Sequence, residues 1–235
     1  MSLNGIFPID RWNFTTHSVL SVLSEEETAR LTRHLTEQHL FKGDVIFREG
    51  TVPSGIFLVR SGRVKKYKVD QLGKEQIIYV AGPGELMGYH PVLSGERYAD
   101  SATAMEDTMV SFIPKEDFMD VLSRSSVFAL RMLKAMSHEF TVLTNSISVI
   151  AQRTGPERLA IALIVLREKF KYGLSDNEAI PINISRTDLA NMAGLAAENV
   201  IRLLGEFKAE GILLTEGRKI IIRDVHLLVK RANYR

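Results

Sequence analysis

A series of glycines, Gly43, Gly50, Gly62, Gly73, Gly82, Gly84, Gly88 and Gly95, cuts the first half of this chain into short pieces. Long helices do not survive such a density, because each interior glycine costs a helix up to ~1 kcal/mol. Glycine also supplies the positive φ that tight turns demand. Between these positions lie β-type runs: Asp44–Arg48, Gly55–Arg60, Arg63–Val69, Gln76–Val80 and Thr108–Ile113. Strands repeated about every ten residues, each closed by a turn former, predict a small antiparallel sandwich or jelly roll. It runs from about Leu23 to Ile113, after a short helical lead-in.

The pattern changes after Ile113. From about Lys115 to Ala151 the chain reads as helix, with Leu133, Met136, Phe140, Leu143, Ile147 and Ile150 spaced alternately by three and four residues. That is an a/d seam. A seam this narrow suits a helix pairing with its own copy, since a helix covering a sheet needs a wider stripe. Packing inside one chain is the alternative.

A third region begins at Thr154. Thr154-Gly155-Pro156-Glu157 fits a capping box with an early proline. A helix follows, with Leu159, Ala162, Leu163, Leu166 and Phe170 on one face, and Tyr172 to Ile180 reads as a loop. Ser185-Arg186-Thr187-Asp188 is a second cap signal, followed by Leu189, Ala190 and Ala193 at helical spacing. Gly194-Leu195-Ala196 interrupts, and a further helix runs from about Ala197 to Ala209, ended by Gly211, with Val200, Leu203, Leu204 and Phe207 facing inward. Small residues at the crossing let two helices meet closely and steeply, as a helix-turn-helix requires. Ile212–Thr215 and Lys219–Ile222 then flank Glu216-Gly217-Arg218 as a hairpin, giving a winged module.

The second helix of that module is the one expected to enter the major groove of double-stranded DNA, with Ala197, Glu198, Ile201 and Arg202 outward. Glu198 suits cytosine N4, and Arg202 suits the O6 and N7 of guanine. Four residues apart, the two are placed to support one another as an ion pair. A solvated salt bridge with no partner is the plainer reading of the same pair. The basic wing-tip residues Arg218 and Lys219 are placed for phosphate.

Composition agrees with a soluble globular chain: hydrophobic residues make up 45% and charged residues 25% of 235. The formal net charge is only +2, but 13 of the basic residues against 10 acidic ones lie from Thr154 onward, a basic bias of the C-terminal part. There is no apolar run long enough to span a membrane and no secretory signal, so the cytoplasm is expected. The absence of cysteine excludes disulfides, thiolate catalysis, and cysteine-held zinc or iron–sulfur centres. His17, His34, His39, His138 and His226 lack metal-ligand spacing, so no metal is expected, and no cofactor is evident. No P-loop, Gly-x-Ser-x-Gly or His-Glu-x-x-His occurs, and no catalytic residues are assigned.

The whole chain resembles the CRP/FNR family of transcription regulators. The likeness rests on Lys42–Gly50, Gly55–Val64 and Gly82-Pro83-Gly84-Glu85-Leu86-Met87-Gly88 in the first part. In the last part it rests on Ile184 to Ile222, where Glu198-Asn199-Val200-Ile201-Arg202 falls on the recognition-helix motif. The resemblance implies an α+β fold in three parts: an N-terminal antiparallel β-roll for an effector (1–114), a long dimerisation helix (115–153) and a C-terminal winged helix-turn-helix (154–235). It implies a homodimer on a palindromic site, with half-sites about 34 Å apart, and contact with RNA polymerase. Ser185 and Arg186 match family positions that touch phosphate.

The departures concern the effector. Cyclic-AMP-binding members carry a Glu for the ribose and an Arg-Ser pair for the phosphate. Tyr89 stands at the first position, after Gly88, and Tyr98-Ala99 at the second, with Arg97 one position away. A buried phosphate without a guanidinium partner is costly, so cyclic AMP is not expected as the ligand and the effector is unknown. His90 falls where carbon-monoxide-sensing members place a haem ligand, but it reads as a polar loop residue beside Pro91, with no second axial ligand evident. On the DNA side, Ala197 replaces a common Arg, and Ala196 replaces a Ser or Thr cap worth about 1 kcal/mol. A cyclic-nucleotide-binding regulatory module is the competing reading. It leaves the winged part unexplained.

Overall fold

The computed structural model describes residues 3, 5–171 and 180–233. The loop expected over residues 172–179 lies outside them. The chain starts with two short 3-10 turns, Ile9–Arg11 and Leu20–Val22, and helix α1, Glu25–Leu31. Ser24 caps α1: its hydroxyl accepts the Glu27 N–H at 3.2 Å, and the Glu27 carboxylate accepts the Ser24 N–H at 2.8 Å.

The roll follows, as β1 Thr36–Leu40, β2 Val45–Phe47, β3 Gly55–Ser61, β4 Val64–Val69, β5 Glu75–Ala81, β6 Leu86–Met87, helix α2 Tyr89–Ser94, β7 Ser101–Ala104 and β8 Thr108–Pro114. Two four-stranded sheets form, in the orders β1-β8-β3-β6 and β2-β7-β4-β5. All the residue-level pairings in them are antiparallel. The five expected strands are present, and β1, β6 and β7 join them. The facing sheets enclose Phe47, Phe57, Val59, Val64, Tyr98 and Val110. Strand β3 is buried from Gly55 to Val59 rather than alternating, because α2 and the following helix α3 also pack on it. Gly55 is required where β3 meets β8: a Cβ there would sit 2.2 Å from the Ile113 carbonyl oxygen.

The region expected as one helix from Lys115 is two. Helix α3, Lys115–Arg124, ends at Ser125, whose extended backbone (φ −104°, ψ 99°) breaks the run. Helix α4, Ser126–Gln152, restarts there, and Ser125 Oγ accepts the Phe128 N–H at 3.2 Å. The C-terminal part comprises α5 Gly155–Phe170, β9 Pro181–Asn183, α6 Arg186–Ala193, α7 Ala197–Ala209, β10 Leu213–Glu216, β11 Lys219–Ile222 and α8 Val225–Ala232. The Thr154 cap is present, with Glu157 accepting both the backbone N–H at 2.8 Å and the hydroxyl at 2.9 Å. Helix α5 is buried almost all round rather than on one face, including Ala160, Ile161 and Ile164, because α6, α7, α8 and β9 all pack on it. A third sheet, β10-β11-β9, carries the wing, with β9 an addition to the expected hairpin.

The contacts gather into two compact units. One holds Thr15–Gly73 and Ile78–Phe140; the other holds Met1–Phe14, Lys74–Ile77 and Thr141–Arg235. No helix among the described residues is long and apolar enough to cross a membrane.

Candidate nucleic-acid interface

Helix α6 starts where the sequence signals it. Ser185 is extended (φ −70°, ψ 152°) and its Oγ accepts the Asp188 N–H at 2.9 Å. The helix ends at Gly194, which is left-handed (φ 63°) and donates its N–H to the Ala190 carbonyl. A side chain with a Cβ would be strained there. Leu195 N–H bonds to the same carbonyl at 3.0 Å, and only three residues, Gly194 to Ala196, separate α6 from α7. Ala196 caps α7 without a side-chain bond. The first turn of α7 therefore presents free backbone N–H groups, a favourable end for an anion.

Helix α7 is two-faced. Val200, Leu203, Leu204 and Phe207 are buried, while Glu198, Asn199, Ile201 and Arg202 are exposed and Ala197 is half-buried. Ile201 is 58% exposed, an apolar side chain held in water on the outward face. The expected Glu198–Arg202 pair does not form. Arg202 instead pairs with Glu206, one turn further on, as donor to its Oε1. Both arrangements are i,i+4 pairs, and the observed one places the carboxylate nearer the C-terminal end. It leaves Glu198 with no ion-pair partner among the described residues.

The wing turn consists of Gly217 and Arg218 between the paired residues Glu216 and Lys219. Only Gly217 of the two has positive φ (56°), the requirement of a type II′ turn. Arg218 and Lys219 are exposed. Arg186 does not project freely beside them. It is half-buried, and its guanidinium donates to the Gly217 carbonyl at 2.9 Å and the Arg218 carbonyl at 3.4 Å. Burial, and then the nearby Arg218 charge, lower its proton affinity below that of an ordinary guanidinium.

The residues named for an effector pocket do not share one environment. Gly88 is left-handed (φ 78°) and leads into α2. Tyr98 is buried against it and stacks on Phe47, with ring centroids 4.1 Å apart and planes 10° from parallel. Burial, then the Asp100 charge, pushes its phenol up to about 12. Arg97 stays on the surface and donates to the Gly50 carbonyl at 2.9 Å, and Ala99 is exposed. The neighbouring Tyr98 ring belongs to the core of the roll. Tyr89 is fully buried and donates to Glu139 Oε2 at 2.8 Å. His90 is part of a helix, not a loop, and its Nε2 lies 2.7 Å from the same oxygen. Glu139 is itself 3% exposed, and it was missed from the sequence alone. The signal that could have found it is its spacing, which puts it on the inward row of α4 with Phe128 and Met132. Among the described residues no cluster of potential metal ligands occurs. The chain also has no cysteine thiolate to hold an iron–sulfur cluster.

A β-roll followed by a helix, a helix-turn-helix and a wing defines a class: two-part transcription regulators of the catabolite-activator type. Residues 37–125 match the cyclic nucleotide-binding domain, and residues 157–231 match the Crp-like helix-turn-helix domain. The chain is 30% identical over 212 residues to the fumarate nitrate reduction regulatory protein of Klebsiella oxytoca, covering 89% of this chain and 84% of that one. It is 31% identical over 188 residues to the transcriptional activator protein anr of Pseudomonas aeruginosa, covering 79% and 75%. In fold it is similar to FixK2 from Bradyrhizobium japonicum, with a TM-score of 0.75 at 24% identity, over 83% of this chain and 96% of that structure. The chain belongs to the CRP/FNR family and is a DNA-binding transcription regulator, not an enzyme.

Proposed function

We propose that this regulator binds palindromic double-stranded DNA as a homodimer in the cytoplasm and reads each half-site with α7. Glu198 and Arg202 probe base edges, with Ile201 and Ala197 against the groove floor. Ser185 at the start of α6 and Arg218 and Lys219 at the wing tip form the phosphate-facing side, and Arg186 belongs to it through the wing turn that it holds. The two copies pair along α4 through Leu133, Met136, Phe140, Leu143, Ile147 and Ile150. The DNA-bound dimer touches RNA polymerase, as the family resemblance implies. The observation that carries the reading is the outward face of α7: a carboxylate, a guanidinium and an exposed isoleucine stand on one side of a helix whose other side is core.

The roll answers to a ligand other than cyclic AMP, or to none. Supporting this, Tyr98 occupies core volume at the position expected for a phosphate-binding guanidinium, and Arg97 is committed to Gly50.

Selection of bound duplexes from random DNA tests the reading. The full chain should enrich two inverted half-sites about one helical turn, ~34 Å, apart. Arg202→Ala should lose its preference at one guanine position, worth about 1–3 kcal/mol. Enrichment of no duplex, or an unchanged preference in the variant, would overturn the assignment.

A further inference from the structure

The wing is a narrow projection. Its two strands pair from Leu213↔Ile222 to Glu216↔Lys219, and β9 supports only the β11 side, as far as Lys219. A two-stranded ribbon is marginal by itself in water, and its tip would be the mobile end. Among the described residues, the side-chain hydrogen bonds to this turn come from one residue, Arg186, which lies 31 positions earlier in the sequence. The guanidinium holds two consecutive carbonyls, a match to its planar fork that a lysine ammonium cannot reproduce. Those two carbonyls belong to the peptide units that set the direction of Arg218 and lead into Lys219.

We propose that Arg186 is a positioning residue for DNA binding: it clamps the wing turn, and so holds Arg218 and Lys219 where they meet phosphate, instead of meeting phosphate itself. The clamp orders the tip before DNA arrives, so that the ordering cost is not charged to the binding step. Two of its five N–H donors are engaged inside the protein, and the side chain is half-buried where it makes these contacts. The inference rests on the DNA-binding reading above.

A double-mutant cycle on the full chain, titrated against the duplex obtained by selection, separates the two roles of Arg186. Under the clamp, Arg186→Lys keeps the charge but loses the fork. It should weaken binding nearly as much as Arg186→Gln, about tenfold, the scale of one charge-assisted hydrogen bond. In a chain already carrying Arg218→Ala and Lys219→Ala, Arg186→Gln should then cost nothing further. Hydrogen exchange of residues 213–222 without DNA should be faster in both Arg186 variants.

A direct phosphate contact predicts otherwise, and any of the following overturns the clamp. Arg186→Lys retains most of the affinity. The loss from Arg186→Gln adds in full to that of the wing-tip pair, with the salt slope falling by about one. Exchange in the wing is unchanged. If Arg186→Gln does not fold, Arg186→Lys decides alone. A wild-type chain that selects no duplex overturns the DNA reading, and the clamp's purpose with it. A wild-type chain that binds while Arg186→Lys keeps its affinity overturns the clamp only.

Discussion

Replacing Tyr89 by Phe deletes one oxygen atom from the interior of the roll and leaves the ring in place. The oxygen matters because of its acceptor. Glu139 is a carboxylate on the inward row of α4, 3% exposed, and a buried charge is tolerated only where it is paired and hydrogen-bonded. Two donors reach it, the Tyr89 hydroxyl at 2.8 Å and His90 Nε2 at 2.7 Å, both at Oε2. Burial pushes this carboxyl up. The His90 hydrogen bond and charge, the Lys66 charge and the Tyr89 hydrogen bond together outweigh burial and hold it below the usual carboxylate range. Burial, then Tyr79 and Glu139, raises the Tyr89 phenol far above its ordinary value, so it remains a donor wherever the protein is folded.

Losing a hydrogen bond to a charged group costs about 1.5–3 kcal/mol. A value near ~2 kcal/mol corresponds to a fall in Tm of about 4–8 °C for a chain of this size. The pH dependence has a definite sign. A carboxyl held low in the folded state contributes stability that is fully present above its unfolded pKa of about 4.3 and is lost as pH falls through the folded value. Calorimetry should therefore find the full deficit of Tyr89→Phe at pH 7 and a narrowing gap below about pH 4. An unchanged Tm at pH 7, or a gap that widens on acidification, would refute the account of Glu139.

Three further outcomes are expected. Glu206→Gln removes the carboxylate that pairs with Arg202; if that pair competes with base contact, affinity for the selected duplex should rise by a few-fold, within the ~1 kcal/mol of an exposed pair, and equal or weaker binding would show that it does not compete. Phe140→Glu puts a charge on the exposed row of α4 and should give monomers in sedimentation, whereas intact dimers would place the contact elsewhere. Cyclic AMP should leave the melting temperature unchanged in a thermal-shift titration, and micromolar binding would contradict the reading of Tyr98 at the phosphate position.

Local signals were the legible ones. Helix α7 falls on Ala197–Ala209 as expected, because its limits are set within a few residues by a left-handed Gly194 and a left-handed Gly211. Ser185 caps α6 through its side chain, an equally local signal. Strands without a pattern escaped notice. β1 is a polar edge strand, Thr36-Glu37-Gln38-His39-Leu40, with four of its five residues exposed. β7 is built of small residues, and β6 has only two. Helix α2 was masked by Pro91, which sits in the first turn, where a missing N–H costs nothing. Choices between equivalent partners were also illegible. Arg202 has a carboxylate four residues to either side, at Glu198 and Glu206, and sequence spacing cannot choose between them. The reach of Arg186 to the wing depends on tertiary packing alone.

Helix α4 shows how two demands can be written into one heptad pattern. Its inward row holds Phe128, Met132, Glu139, Val142 and Val149, all buried. Its outward row holds Leu133, Phe140, Ile147 and Ile150, exposed by 63%, 69%, 67% and 46%, with Met136 and Leu143 half-buried between them. Val127 and Leu130, also exposed, extend this surface towards the start of the helix, which the seam read from the sequence did not include. A contiguous apolar row of that length is uncommon on a monomer. A helix whose back is core and whose front is oily needs two separate coverings. The polar exception on the back is Glu139, whose two donors come from consecutive residues of α2. Those bonds tie the inward row of α4 to α2. With Glu139 held inward, its sequence neighbour Phe140 stands on the exposed row, the face proposed above for pairing with a second copy of the chain.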